Sequence, residues 1–77
     1  MEAIKTPDGL TKAQAAVYTH ITLGMTAKES AEQLGCALKT AENHRYAMFR
    51  KLGHKTALGL AVWHYRTFLP SLARGEA

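Results

Sequence analysis

The sequence predicts an all-α fold, a compact domain of four helices, and three observations carry that expectation. Apolar residues recur at intervals of three and four and never alternate for long, which is the pattern of one-sided helices and not of strands. Threonines suited to helix starts and glycines suited to helix stops alternate along the chain at helix-length spacings: Thr11 then Gly24, Thr26 then Gly35, and later Gly53. With 77 residues, 47% of them hydrophobic and 21% charged, the chain suits one small globular unit, and no apolar run nears the length of a membrane span.

The first helix opens at Thr11, whose hydroxyl can accept from backbone N–H groups at a helix start. Gln14, three residues on, can return the bond in a capping-box pattern. Ala13, Val17 and Ile21 form its inner stripe, and Leu23-Gly24 closes it. Thr26 repeats the device with Glu29 and begins a short helix whose inner positions Ala27, Ala31 and Leu34 are small or apolar, so that another helix can come close. Gly35, in Leu34-Gly35-Cys36, supplies the backbone freedom of a sharp turn. A third helix is expected over residues 38–52, with Arg50 and Lys51 at the negative end of its dipole and Gly53 as its stop. The fourth runs from Lys55 or Thr56 to Phe68, before Pro70. Residues 1–9, with the turn signal Pro7-Asp8-Gly9, form an irregular leader; 10–69 form the domain; 70–77 form a tail with little to bury, expected to fray.

On a helical wheel at ~100° per residue the third helix divides by chemistry. Ala41, Met48 and Leu52 share a narrow arc flanked by His44 and Arg45, while Lys39, Glu42, Asn43, Tyr46 and Arg50 lie nearly opposite. The second group contains the donors and acceptors that meet base edges: Asn43 can pair bidentately with adenine, Glu42 can accept from a cytosine amino group, and Tyr46 can pack on a thymine methyl or bond a phosphate. Lys39 and Arg50 suit phosphates. Two helices joined by a tight turn, the second basic on one side, is the arrangement by which a helix-turn-helix places a helix in the DNA major groove.

Charge follows the same division. Of the formal net charge of +4, Lys39, Arg45, Arg50, Lys51, Lys55 and Arg66 against Glu42 alone make the segment 39–66 net +5, whereas Lys5, Lys12 and Lys28 against Glu2, Asp8, Glu29 and Glu32 leave the preceding part net −1. A polyanion responds to such a local patch more than to the total.

The run from Leu10 to Val62 resembles the LuxR-type (GerE-type) helix-turn-helix domain of bacterial transcription regulators. The elements that carry the resemblance are Leu10-Thr11, Gly24, Thr26-Ala27-Lys28-Glu29, Ala31, Leu34, Thr40-Ala41-Glu42-Asn43-His44-Arg45 and Lys51-Leu52-Gly53, all in register. The resemblance implies a domain without a wing, whose second and third helices bind DNA and whose fourth mediates a two-fold dimer. Position by position it puts base reading on Glu42, Asn43 and Tyr46, and backbone contacts on Lys28, Lys39, Thr40, Arg45, Arg50 and Lys51. The chain departs from the family pattern at Ala13, Gln14 and Ala16, where Arg and Glu are usual, at Ser30 and Ala41, where Ile and Val are usual, and at Glu42, where many members have Lys.

The fourth helix is apolar on two faces, Leu58, Ala61, Val62 and Tyr65 on one, Ala57, Leu60, His64 and Phe68 on the other, with Trp63 beside the second. A domain this small cannot easily bury both, so one face is expected to form a homodimer contact, placed here on Leu60, Trp63, His64 and Phe68. Two third helices would then meet half-sites about one DNA turn apart, and the target would be an imperfect palindrome.

Other chemistries find little footing. His20, His44, His54 and His64 lack a metal-ligand spacing, and Cys36 reads as a small hydrophobe at the turn. No Gly-rich phosphate loop occurs, and Ser30 and Ser71 have no acid–base partner nearby in sequence, so neither an enzyme nor a cofactor is expected. The N-terminus lacks the build of a secretory signal, and one cysteine makes no internal disulfide, which points to the cytoplasm, at the nucleoid when DNA is bound. Nine residues before Leu10 cannot hold a sensor domain, so the chain reads either as a stand-alone regulator, which the initial Met1 favours, or as an effector domain excised from a longer one. The expected activity is sequence-specific DNA binding in transcription regulation, with RNA polymerase as a further partner. The alternative is an interaction module, an anti-activator or polymerase-binding factor, acting through the fourth helix.

Overall fold

Three of the four helices begin on a threonine. In the computed structural model, which describes residues 6–69, the elements are α1 (Lys12–Thr22), α2 (Ala27–Leu34), α3 (Leu38–Leu52) and α4 (Ala57–Phe68), and no strand occurs among the described residues. Thr11 accepts from the Gln14 N–H at 3.1 Å while Gln14 Oε1 accepts from the Thr11 N–H at 3.1 Å, so the capping box is complete. Thr26 and Glu29 form the same pair at 3.2 and 2.9 Å. The backbone N–H and hydroxyl of Thr26 hold the Glu29 carboxyl below the usual carboxylate range. Thr56 caps α4 through the Gly59 N–H.

Gly35 ends α2 with φ of 68°, a left-handed conformation that only glycine adopts at little cost, and α3 begins three residues later. Residues 6–10 are irregular, with a turn at Asp8-Gly9. The expected irregularity of residues 1–5 and the fraying of 70–77 lie outside the described residues.

α1 is the helix against which the other three pack, and α3 also lies along α2. This central place explains why α1 buries a wider stripe than the Ala13, Val17 and Ile21 expected from spacing: Gln14, Val17, Tyr18 and Ile21 are buried and Ala13 is only half-buried. Val17, Tyr18, Ile21, Met48 and Leu60 form the core, with Leu10, Leu34, Phe49, Leu52, Ala57 and Trp63 packed against it. On α2 the expected Ala31 is buried and the expected Leu34 packs against the core, while Ala27 is only half-buried and Ser30 is buried as well, its hydroxyl turned inward to His20 Nδ1 at 3.0 Å so that it ties α2 to α1.

The inner face of α4 corrects an expectation. Leu60 is fully buried and His64 is 6% exposed, both consumed by the core of a single chain, so they cannot serve as the surface for a second copy; Trp63 and Phe68 are half-buried beside them. The physical reason is Tyr18, fully buried on α1, whose hydroxyl needs a partner and finds it in His64 Nδ1 at 2.6 Å. The rings meet edge-on at 5.3 Å, and Phe68 closes over His64 at 5.1 Å. The outward stripe is the other apolar face: Leu58, Val62 and Tyr65 are exposed, at 76%, 41% and 48%.

Candidate nucleic-acid interface

α3 is positioned by its small and flexible core residues. Ala41 and Met48 are fully buried and Leu52 half-buried, and Ala41, with only a methyl group, lets the backbone of α3 lie close to its neighbours. The rotation fixed by these residues turns Lys39, Thr40, Glu42, Asn43, Tyr46 and Arg50 to solvent, Tyr46 by 64%. Thus the base-edge group expected on Glu42, Asn43 and Tyr46 stands together on one exposed side. Lys28, on α2, is exposed as well.

Two cations of the expected backbone set are engaged within the domain. Lys51 Nζ donates to the Gly9 carbonyl at 2.8 Å and to Gln14 Oε1 at 3.0 Å, clamping the end of α3 to the start of α1. Arg45 is half-buried, its guanidinium 5.9 Å from the centre of the Phe49 ring and one of its Nη atoms buried without a partner. Arg50, by contrast, is exposed, and its guanidinium lies 5.8 Å from the centre of the Tyr46 ring.

A further feature escaped the residue-type reading. The N-cap position of α3 is Ala37, which offers no side-chain hydrogen bond, whereas threonine caps the other three helices. The first turn, Leu38, Lys39 and Thr40, is made of exposed residues, and its backbone N–H groups lie at the positive end of the helix dipole without a side-chain cap from Ala37. Such a terminus suits an anion. The signal was present in the sequence as an alanine where a capping residue belongs.

The family model described as bacterial regulatory proteins, luxR family, matches residues 8–64, the span from the turn before α1 to His64 in α4. The chain belongs to the luxR family. As a luxR-family domain it is a DNA-binding transcription regulator, with α2, the Gly35 turn and α3 as its helix-turn-helix. No curated protein and no solved structure matches this luxR-family chain. No described helix is long and apolar enough to cross a membrane.

Proposed function

We propose that this luxR-family chain binds specific DNA sequences as a homodimer, with α3 in the major groove. Glu42, Asn43 and Tyr46 read base edges; Lys28, Lys39, Thr40 and Arg50, with the open N-terminus of α3, hold phosphates. Arg45 and Lys51, whose cationic groups are engaged inside the domain, fix the seat of α3 first. The observation that carries this reading is the division of α3, with Ala41 and Met48 fully buried on one side and the polar set exposed on the other.

The second copy meets the outward stripe of α4. Leu58, Val62 and Tyr65, with half-buried Ala61 between them, follow the four-then-three spacing of a helix–helix seam, and Ala61, Val62, Tyr65 and Arg66 line a shallow groove there. Paired through that seam, the protein acts in the cytoplasm, at the nucleoid when bound to DNA, on an imperfect palindrome.

Selection of bound fragments from random DNA tests the whole reading. A recovered palindrome supports binding and symmetry together. A single half-site supports the reading helix and rejects the dimer, and no enrichment at low salt rejects both, leaving the exposed seam of α4 to an anti-activator or polymerase-binding role.

A further inference from the structure

Side chains on a helix lean toward its N-terminus, so a long residue reaches the turn that precedes its own Cα. Arg50, in the last turn of α3, does this over Tyr46: its guanidinium carbon lies 5.8 Å from the ring centre. The positive charge is thereby carried back along the axis by about the rise of four residues, ~6 Å. It stands at the level of Tyr46, on the turn that follows Glu42 and Asn43, instead of trailing past Gly53 where the helix ends. Both side chains are exposed, so core packing does not impose the arrangement. The attraction of a cation for the ring face, together with contact along the arginine stem, holds it.

We propose that Tyr46 is the positioning residue for Arg50, its ring holding the guanidinium beside the reading face so that the two engage DNA as one unit. The inference rests on the assignment of α3 to DNA. A free arginine must give up rotamer freedom when it meets a phosphate, and one already stacked has given up part of it. The fork then meets a phosphate flanking the bases that Asn43 faces. One face of the tyrosine ring is taken by Arg50, which leaves its hydroxyl edge to the groove.

The test uses the whole chain and a fluorescent duplex of mixed sequence, titrated across a series of KCl concentrations, with the variants Tyr46→Phe, Tyr46→Leu, Arg50→Ala and the double variant Tyr46→Leu/Arg50→Ala. Both positions of substitution are on the solvent side of α3, and helicity measured by circular dichroism confirms that each variant folds. The expected result is that Tyr46→Phe, which keeps the ring and loses only the contact of the hydroxyl, retains the salt dependence of the wild type, while Tyr46→Leu loses about two- to five-fold in affinity. Tyr46→Leu also lowers the dependence on salt in the direction of Arg50→Ala, which sheds about 0.9 from the slope for one phosphate contact. In the Arg50→Ala background, Tyr46→Leu costs less than it does alone. Losses that simply add, a salt slope that falls as far in Tyr46→Phe as in Tyr46→Leu, or a Tyr46→Leu protein that loses nothing would each overturn the pairing while leaving DNA binding intact. A wild-type protein that does not hold the duplex at low salt overturns the pairing and the DNA assignment together.

Discussion

Replacing Ala37 with serine should make the protein more stable and a weaker DNA binder. The backbone of Ala37 has φ −69° and ψ 152°, close to the −68° and 167° of Thr11 and the −77° and 168° of Thr26, both of which cap through their hydroxyls. A serine hydroxyl at position 37 is therefore set to accept from the N–H of Thr40, the third residue of α3, as Thr11 accepts from Gln14. Such caps are worth about 0.5–2 kcal/mol, typically ~1. In a domain of this size ~1 kcal/mol raises the melting temperature by about 4–8 °C. If a phosphate uses the same N–H group, DNA must displace the new cap, and ~1 kcal/mol corresponds to about a five-fold loss of affinity. Thermal unfolding by circular dichroism and anisotropy titration on a duplex measure the two effects on one preparation. An unchanged melt would show that the Thr40 N–H already has a partner in solution. A stabilised protein with unchanged affinity would remove the N-terminus of α3 from the phosphate contacts.

Other expectations follow from the joints between helices. Burial lowers the pKa of His64 from its ordinary 6.5, and burial pushes the Tyr18 hydroxyl bonded to it up to about 12. The unfolded chain thus takes a proton that the folded chain resists, so the stability that neutral His64 provides is fully present above pH 6.5 and declines as the pH falls from there toward the lower folded pKa. Urea unfolding of His64→Gln across that range should show a flatter acid limb, and an equally steep one would place the proton elsewhere. Gln14→Glu should convert the Lys51 clamp into an ion pair and put an acid in the first turn of α1, each effect contributing about 0.3–1 kcal/mol at pH 7. That gain, read from the urea midpoint, should vanish in acid as the new carboxylate is protonated; a destabilised variant at pH 7 would mean that the site, 8% exposed, cannot hold a charge. Leu60→Ala should cost about 2–5 kcal/mol of stability. Val62→Glu should leave the fold intact and lower self-association in sedimentation, and an unaltered dimer would reject the outward seam.

Much of this architecture is legible residue by residue, because caps and stops are local chemistry. Thr11 with Gln14, Thr26 with Glu29, and the glycines at 35 and 53 mark helix ends through bonds made within a few residues, and the structure keeps each of them. The rotation of α3 is legible for a related reason: it has one apolar arc, so only one side can face inward. α4 has two such arcs, and periodicity reports the angle between residues without saying which arc meets the core. Tyr18 decides it by demanding a partner across 46 positions of chain, a contact that no local pattern announces. The burial of Gln14 and Ser30 is less legible still, since a polar residue enters a core only when a specific bond awaits it, here from Lys51 and with His20. The clamp from Lys51 is hidden by its type, because a lysine in a basic stretch looks like every other one until its neighbours are known.

The hydrogen bonds that join α1 to α4 and α1 to α2, Tyr18 with His64 and His20 with Ser30, also bear on how the domain meets temperature. Apolar burial loses strength on cooling and is the source of the heat-capacity change that bends a stability curve. The cluster of Val17, Tyr18, Ile21, Met48 and Leu60 is a small source of that curvature, and the two polar joints do not weaken in the cold as burial does. Cooling should therefore loosen the apolar contacts of the domain before it loosens the two joints by which α1 holds α2 and α4.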